Sequence, residues 1–278
     1  MYIPSGGIAF FDSGIGGLTV LHECRDAFPN TPFYYYGDNA RAPYGNLPAP
    51  QISNYVTTAF EVFSSLSVRA AVLACNTATA ICAEELRRTY PFPIIGAEPA
   101  VFPACKQEGE ILVLATQATR DSTRLKKLCA RAKIGRANVH FSFPECNKLA
   151  GVIEENILNT NFDYSSYLPP AQPNAVVLGC THYIYIKEYV SRFYGCEVYD
   201  GNIGIKNRLI SLVGGLNEKK CKKSRDGQPP VTPCAGQGVD GQDFCTFYDN
   251  KDAPIFFLGS GKDKNLSIYE QMFAKPYK

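Results

Sequence analysis

Ala71-Val72-Leu73-Ala74-Cys75-Asn76-Thr77-Ala78-Thr79 is an apolar run that ends at a thiol and then turns polar. The second half of the chain repeats the pattern in Val176-Val177-Leu178-Gly179-Cys180-Thr181-His182, with two aliphatic residues, a small residue and cysteine followed by polar side chains. A run this short, flanked by helical periodicity, reads as a strand buried on both faces of a parallel sheet, and such sheets hold ligands beyond the carboxyl ends of their strands. Each half is therefore expected to offer one cysteine to a ligand. A thiol that opens a helix faces the positive end of the helix dipole, which is expected to draw its pKa down from about 8.5. The competing reading is a pair of core cysteines, because free Cys is among the most buried residue types. The repetition, with polar neighbours both times, favours function.

The 278 residues are enough for a large core in one or two domains, and the repeated strand end favours two. Hydrophobic residues at 45%, charged residues at 19% and a formal charge of +2 describe a globular chain with no overall attraction to nucleic acid or an anionic membrane. The apolar run Ile8 to Phe11 meets Asp12 far short of the roughly 20 residues a membrane helix needs, so neither a spanning segment nor a signal peptide is read and a cytoplasmic protein is expected. Eleven cysteines without regular spacing argue for reduced thiols. No CxxC or HExxH occurs, so no metal site is expected.

Gly6 to Phe11 reads as a first strand, and Asp12-Ser13-Gly14-Ile15-Gly16-Gly17 as a tight loop opening a helix over Leu18 to Ala27. Glycine-rich strand-to-helix turns expose N–H groups to an anion, here a carboxylate as readily as a phosphate. The spacing is not GxGxxG and no P-loop lysine follows, which argues against a dinucleotide. Thr31 to Tyr36 reads as a second strand, and residues 51 to 66 as an amphipathic helix leading to the Cys75 strand. Between them Gly37-Asp38-Asn39-Ala40-Arg41-Ala42-Pro43-Tyr44-Gly45 is a loop rich in groups able to reach a ligand.

Four segments together, Phe11 to Val20, Tyr36 to Gly45, Ala74 to Thr79 and Leu178 to Tyr183, resemble in order and approximate spacing the motifs of glutamate racemases, within the aspartate/glutamate racemase superfamily. The resemblance spans residues 8 to about 213. It implies an α/β fold of two pseudo-symmetric flavodoxin-like domains with mainly parallel sheets, one of residues 1–97 plus 208–278 and one of 98–207, with the active site between them. It implies Cys75 and Cys180 as the catalytic pair, Asp12 assisting near Cys75, and Glu154 and His182 assisting near Cys180. It further implies that Asp12, Ser13, Tyr44, Gly45, Asn76, Thr77, Thr119, Thr181 and His182 bind the amino acid. Read unaided, Glu154 and Glu155 are a solvated helix face, and only the resemblance selects Glu154. His182 beside a thiol suits proton relay, whereas His22 and His140 have no motif around them.

Ile111 to Leu114 reads as a strand, after which Thr116, Thr119 and Ser122 form a hydroxyl series entering another helix, with Thr116 and Thr119 either touching ligand or capping it. The family usually has glycine where this chain has Ala115, and proline where it has Asn147. A helix is expected from Ile203 to Val213. Residues 217–252, with Cys221, Cys234 and Cys245, read as a surface insertion, and Pro254 to Leu258 as a strand returning to the first domain. Gly259-Ser260-Gly261 stands where the family leads one to expect a Thr-Gly-Asp-like ending.

Racemising an α-amino acid requires acid/base groups on both faces of one carbon, and two thiols from two repeated halves meet that need. The expected activity is interconversion of L- and D-glutamate without cofactor, since no lysine occupies either thiol-bearing strand end to hold pyridoxal phosphate. By family habit the protein is a homodimer and supplies D-glutamate for peptidoglycan. The alternatives are an aspartate racemase, a thiol redox or transfer enzyme using the same two cysteines, and an amino-acid-binding module without turnover.

Overall fold

The computed structural model describes residues 5–217, 236–237, 243–247 and 254–274. Among the described residues, eleven strands build two sheets. In the larger, β1 (Ile8–Asp12), β2 (Phe33–Gly37), β3 (Ala70–Leu73) and β4 (Ile94–Gly96) run in the spatial order β4-β3-β1-β2. The smaller contains β5 (Gly109–Ala115), β6 (Val139–Ser142), β7 (Ala175–Gly179) and β8 (Glu197–Tyr199) in the order β6-β5-β7-β8, every pairing parallel. Near the C-terminus β9 (Gly236–Gln237), β10 (Asp243–Phe247) and β11 (Ile255–Leu258) extend the larger sheet past β2. β11 lies parallel to β2, and β10 is antiparallel to β11, with Cys245 opposite Phe257.

The strands β1, β2, β3 and β7 are buried along their whole length, as an unbroken apolar run predicts when helices cover both faces. Alternation along β1 divides the packing. Ala9 and Phe11 meet the helices Ala49–Ser65 and Asn76–Thr89, while Ile8 and Phe10 meet Leu18–Arg25 and the two C-terminal helices. The smaller sheet alternates likewise, with Leu112 and Leu114 on one side and Ile111 and Val113 on the other.

Both sheets place a topological switch at the strand pair that bears on function. In the larger sheet the chain leaves β1 for β2 on one side and crosses to β3 on the other, so the crevice opens beyond the ends of β1 and β3. The same arrangement puts a crevice beyond β5 and β7. Asp12 and Cys75 stand at the first crevice, Thr116 and Cys180 at the second.

Several expectations shift. The helix expected from Ile203 runs Asn202–Asn217, and its Ile205, Leu209 and Val213 are buried in the core of the larger sheet. Most of the expected insertion at 217–252 lies outside the described residues, but its residues 243–247 are a strand of the larger sheet and not a loop, because their backbone pairs with β11. The apolar strand after Pro254 is found where expected.

Candidate active site

Cys75 follows β3 and is the N-cap residue of the helix Asn76–Thr89, where the Ala78 N–H donates to its sulfur at 3.5 Å. The thiol in turn faces Ser13 Oγ at 3.7 Å. The helix start was expected to lower the Cys75 pKa, yet it stands at about 12. Burial is the largest cause and the nearby Asp12 adds to it, so together they outweigh the Ala78 N–H and Ser13. Cys75 is accordingly held as a thiol at neutral pH.

Cys180 differs in its local backbone. The expected α-helix after it is a 3-10 segment, Thr181–Ile186, and an α-helix, Lys187–Tyr194, begins only afterwards. The Cys180 side chain makes no capping bond, so the helix-dipole argument applies to Cys75 and not to its counterpart. What Cys180 has instead is the imidazole of His182, with Nδ1 3.9 Å from the sulfur.

His182 Nε2 meets Glu154 Oε2 at 2.5 Å. Glu154 comes from the helix Leu149–Asn156, and its other oxygen accepts from Lys264 Nζ at 2.8 Å and from Asn39 Nδ2 at 3.4 Å. Burial alone would raise Glu154, but the hydrogen bond and charge of His182, assisted by Lys264, bring it down to about 2. Burial alone would lower His182, but its bonds to Cys180 and Glu154 outweigh that and hold it well above the ordinary imidazole value. The pair is therefore an imidazolium and a carboxylate. Glu155, one residue on, is exposed as a helix face should be.

Asp12 ties the halves together. Its carboxylate accepts from Gly14 N–H at 3.0 Å and from Thr181 Oγ1, at the end of β7, at 3.1 Å. Its complete burial raises its pKa, with the charge of His182 and these donors opposing. The glycines beside it are needed for this approach. A Cβ on Gly16 would sit 2.3 Å from Thr181 Oγ1, and one on Gly14 3.0 Å from Glu154 Oε2.

The hydroxyl residues form a second bridge. Thr77 Oγ1 and Thr116 Oγ1 are 2.8 Å apart across the halves, and Thr116 donates to Thr119 Oγ1 at 3.2 Å. Of the residues after β5, Ser122 caps a helix with its side chain, accepting from Leu125 N–H at 3.1 Å, whereas the Thr116 hydroxyl makes no capping bond and instead joins Thr77 and Thr119. Gly45 lies against Thr116, where a Cβ would come within 3.0 Å. Tyr44 is buried and donates to Asp38 Oδ2 at 2.6 Å, so its hydroxyl is engaged by the protein itself. Asn76 Oδ1 is buried with no hydrogen-bond partner among the described residues, an acceptor open to a ligand ammonium. Thus Cys75, Ser13, Asp12, Thr181, His182, Cys180 and Glu154 are brought into one cluster, while Thr77, Thr116 and Thr119 form a separate hydroxyl network.

Four contributors escape sequence reasoning. Lys264 and Asn39 reach Glu154 from remote segments, and Asp38 anchors Tyr44, Arg41 and Ser260. Tyr35 OH holds the glycine loop through Gly14 O at 2.7 Å. Asp38 and Asn39 sit inside the motif Tyr36 to Gly45, which is a usable signal; a lysine in a polar C-terminal helix carries none. The Gly259-Ser260-Gly261 departure keeps a structural purpose, since Ser260 Oγ accepts from Ala40 N–H and donates to Asp38. Among the described residues no three His, Cys, Asp or Glu side chains are grouped to hold a metal, and the eight cysteines from Cys24 to Cys196 are free thiols.

The family model for Asp/Glu/hydantoin racemases matches residues 20–203. A glutamate racemase of Clostridium novyi is 39% identical over 245 residues, covering 81% of this chain and 93% of that protein. Among solved structures, Escherichia coli glutamate racemase in complex with L-glutamate and the activator UDP-MurNAc-Ala superposes with a TM-score of 0.68 at 26% identity, covering 76% of this chain and 83% of that one. Francisella tularensis glutamate racemase in complex with D-glutamate gives 0.65 at 26% identity, covering 80% and 86%.

Proposed function

The chain belongs to the Asp/Glu/hydantoin racemase family, and from that premise we propose that it interconverts L- and D-glutamate by two-cysteine acid/base catalysis, without cofactor. The observation that carries this reading is the pair of buried thiols, Cys75 and Cys180, one at the switch crevice of each sheet and near enough for the charge of Cys180 to act on Cys75. A glutamate α-carbon between the two sulfurs has an acid/base group on either face.

In this mechanism Cys180 takes the α-proton of L-glutamate and Cys75, already a thiol, returns one to the opposite face. D-glutamate runs the cycle backward. Asp12 attends the Cys75 side, and the His182–Glu154 ion pair attends the Cys180 side. Ser13, Tyr44, Gly45, Asn76, Thr77, Thr119 and Thr181 bind the amino acid. Asn76 Oδ1 offers an acceptor for the ammonium, and the hydroxyls and backbone N–H groups offer donors to the carboxylates. The larger-sheet unit is residues 1–97 plus 208–278 and the smaller 98–207, with the helix Asn202–Asn217 crossing between them and its Ile205 buried in the core of the larger sheet. The protein acts as a cytoplasmic homodimer that supplies D-glutamate to peptidoglycan synthesis.

The test is a chiral-chromatography assay on each pure enantiomer in deuterated buffer, with metal chelator and no added pyridoxal phosphate. Formation of the opposite enantiomer with deuterium at the α-carbon is expected. Dependence on an added metal or on pyridoxal phosphate would overturn the mechanism, and binding without exchange would make the protein an amino-acid-binding module.

A further inference from the structure

The ion pair beside Cys180 is completed from the other side of the site. Lys264 lies on the helix Lys262–Ala274, whose Ile268 and Tyr269 are buried in the core of the larger sheet, yet its ammonium reaches the Glu154 oxygen that His182 does not use. Asn39 donates to that same oxygen from the loop after β2. The two Glu154 oxygens are thus divided between the halves, Oε2 to His182 and Oε1 to Lys264 and Asn39.

We propose that Lys264 is a positioning residue for the proposed racemisation, fixing Glu154 in the orientation that holds the His182 imidazolium against Cys180 when the two halves are closed. The proposal deepens the racemase reading and rests on it for its catalytic meaning. A carboxylate held by one partner rotates freely about its last bond, and a second cation on its far oxygen removes that freedom. Since Lys264 and Glu154 come from opposite sides of the site, parting the halves removes the lysine and leaves Glu154 with His182 alone.

Other charges also face the pair. Asp12 at the end of β1 acts on His182, and Tyr35 of β2 lies within electrostatic reach of Glu154. Cys180 faces the imidazole directly. Asp12 opposes loss of the imidazolium charge, so removing Lys264 weakens the hold on His182 without abolishing it. The lysine side chain is 46% exposed, so solvent screens the contact and the effect is modest.

The experiment follows the His182 imidazole by nitrogen-15 NMR in the full-length, ligand-free protein, comparing wild type, Lys264→Met and Lys264→Arg. In Lys264→Met the loss of a nearby positive charge would by itself raise the midpoint for loss of the imidazolium proton, whereas the loss of Glu154's orientation lowers it; a net fall of that midpoint, with the alkaline limb of kcat/KM for glutamate falling alongside, is expected. Lys264→Arg restores both. Midpoints that stay put in a folded Lys264→Met protein, as for a lysine that serves stability alone, or that rise, as for one acting only as a charge, overturn the proposal. If the wild type exchanges no α-proton the racemase reading fails, and with it the catalytic role of Lys264. The NMR titration still decides separately whether the lysine acts on His182.

Discussion

At the scale of single residues, the two sulfurs occupy equivalent places in unequal surroundings. Cys75 caps a helix beside Asp12 with its pKa pushed up to about 12, whereas Cys180 precedes a 3-10 turn and faces His182. In the proposed mechanism each thiol addresses one enantiomer, so the serine variants separate the half-reactions. Cys75→Ser is expected to lose racemisation while still exchanging the α-proton of L-glutamate slowly, and Cys180→Ser to show the reverse preference for D-glutamate. Groups that act as a unit lose far more than their hydrogen bonds when one is removed, so weak residual exchange is expected. Near-normal racemisation by either folded variant would exclude the two-thiol mechanism. Glu154 leads to a prediction about acid stability. Its folded pKa of about 2 lies below the ordinary 4.5, so its ion pair contributes stability above pH 4.5 that is lost as pH falls toward 2. Urea midpoints of wild type and Glu154→Gln should therefore differ most near neutral pH and converge below pH 4.5. Parallel curves down to pH 3 would show that the pair contributes nothing to folding.

At the scale of elements, the loop between β1 and the helix Leu18–Arg25 matters because it touches the other half of the site. Gly16 packs on Thr181 so closely that a methyl group would also meet the His182 backbone nitrogen at 2.8 Å, and backbone cannot swing aside as a side-chain tip can. Gly16→Ala is expected to cost about 1–3 kcal/mol in unfolding free energy, the usual range for overpacking. It should also lower kcat/KM for glutamate by about tenfold or more, since displacements near one ångström at a reacting centre cost about a hundredfold. Urea denaturation and the chiral assay measure the two effects, and an alanine variant of full activity would show that the loop yields without disturbing Thr181. The two cysteine segments resemble each other along their strands and diverge after the thiols. Asn76-Thr77-Ala78-Thr79 continues into a 14-residue helix, while Thr181-His182-Tyr183 turns as a 3-10 segment that presents His182 to Glu154.

At the scale of the whole molecule, the site is closed. Cys75 is 5% and Cys180 7% exposed, and both the Thr181–Asp12 and the Thr77–Thr116 contacts span the two halves. A substrate therefore enters only when the halves part. Alkylation by iodoacetamide, mapped by mass spectrometry, should be slower at both sulfurs than at the half-buried Cys196, and slower still with saturating glutamate. Equal rates at all three with glutamate present would show a site that stays open. Much of the architecture is legible in the chain alone. Unbroken apolar runs reported strands buried on both faces, and the thiol at the end of each located both crevices, because burial and strand ends are written in local order. The motif resemblance selected Glu154 over Glu155, which periodicity could not do. Other features were decided only when the chain folded. The rise in the Cys75 pKa depends on burial and on Asp12, and the helix start alone points the other way. Lys264 and Asn39 meet on one carboxylate from segments far apart in the chain, a convergence that no local pattern encodes. The sequence by itself determined which residues could do acid/base chemistry and at which strand ends they stand. The tertiary structure alone decided their protonation and pairing, because both are set by desolvation and by charges contributed from elsewhere in the chain.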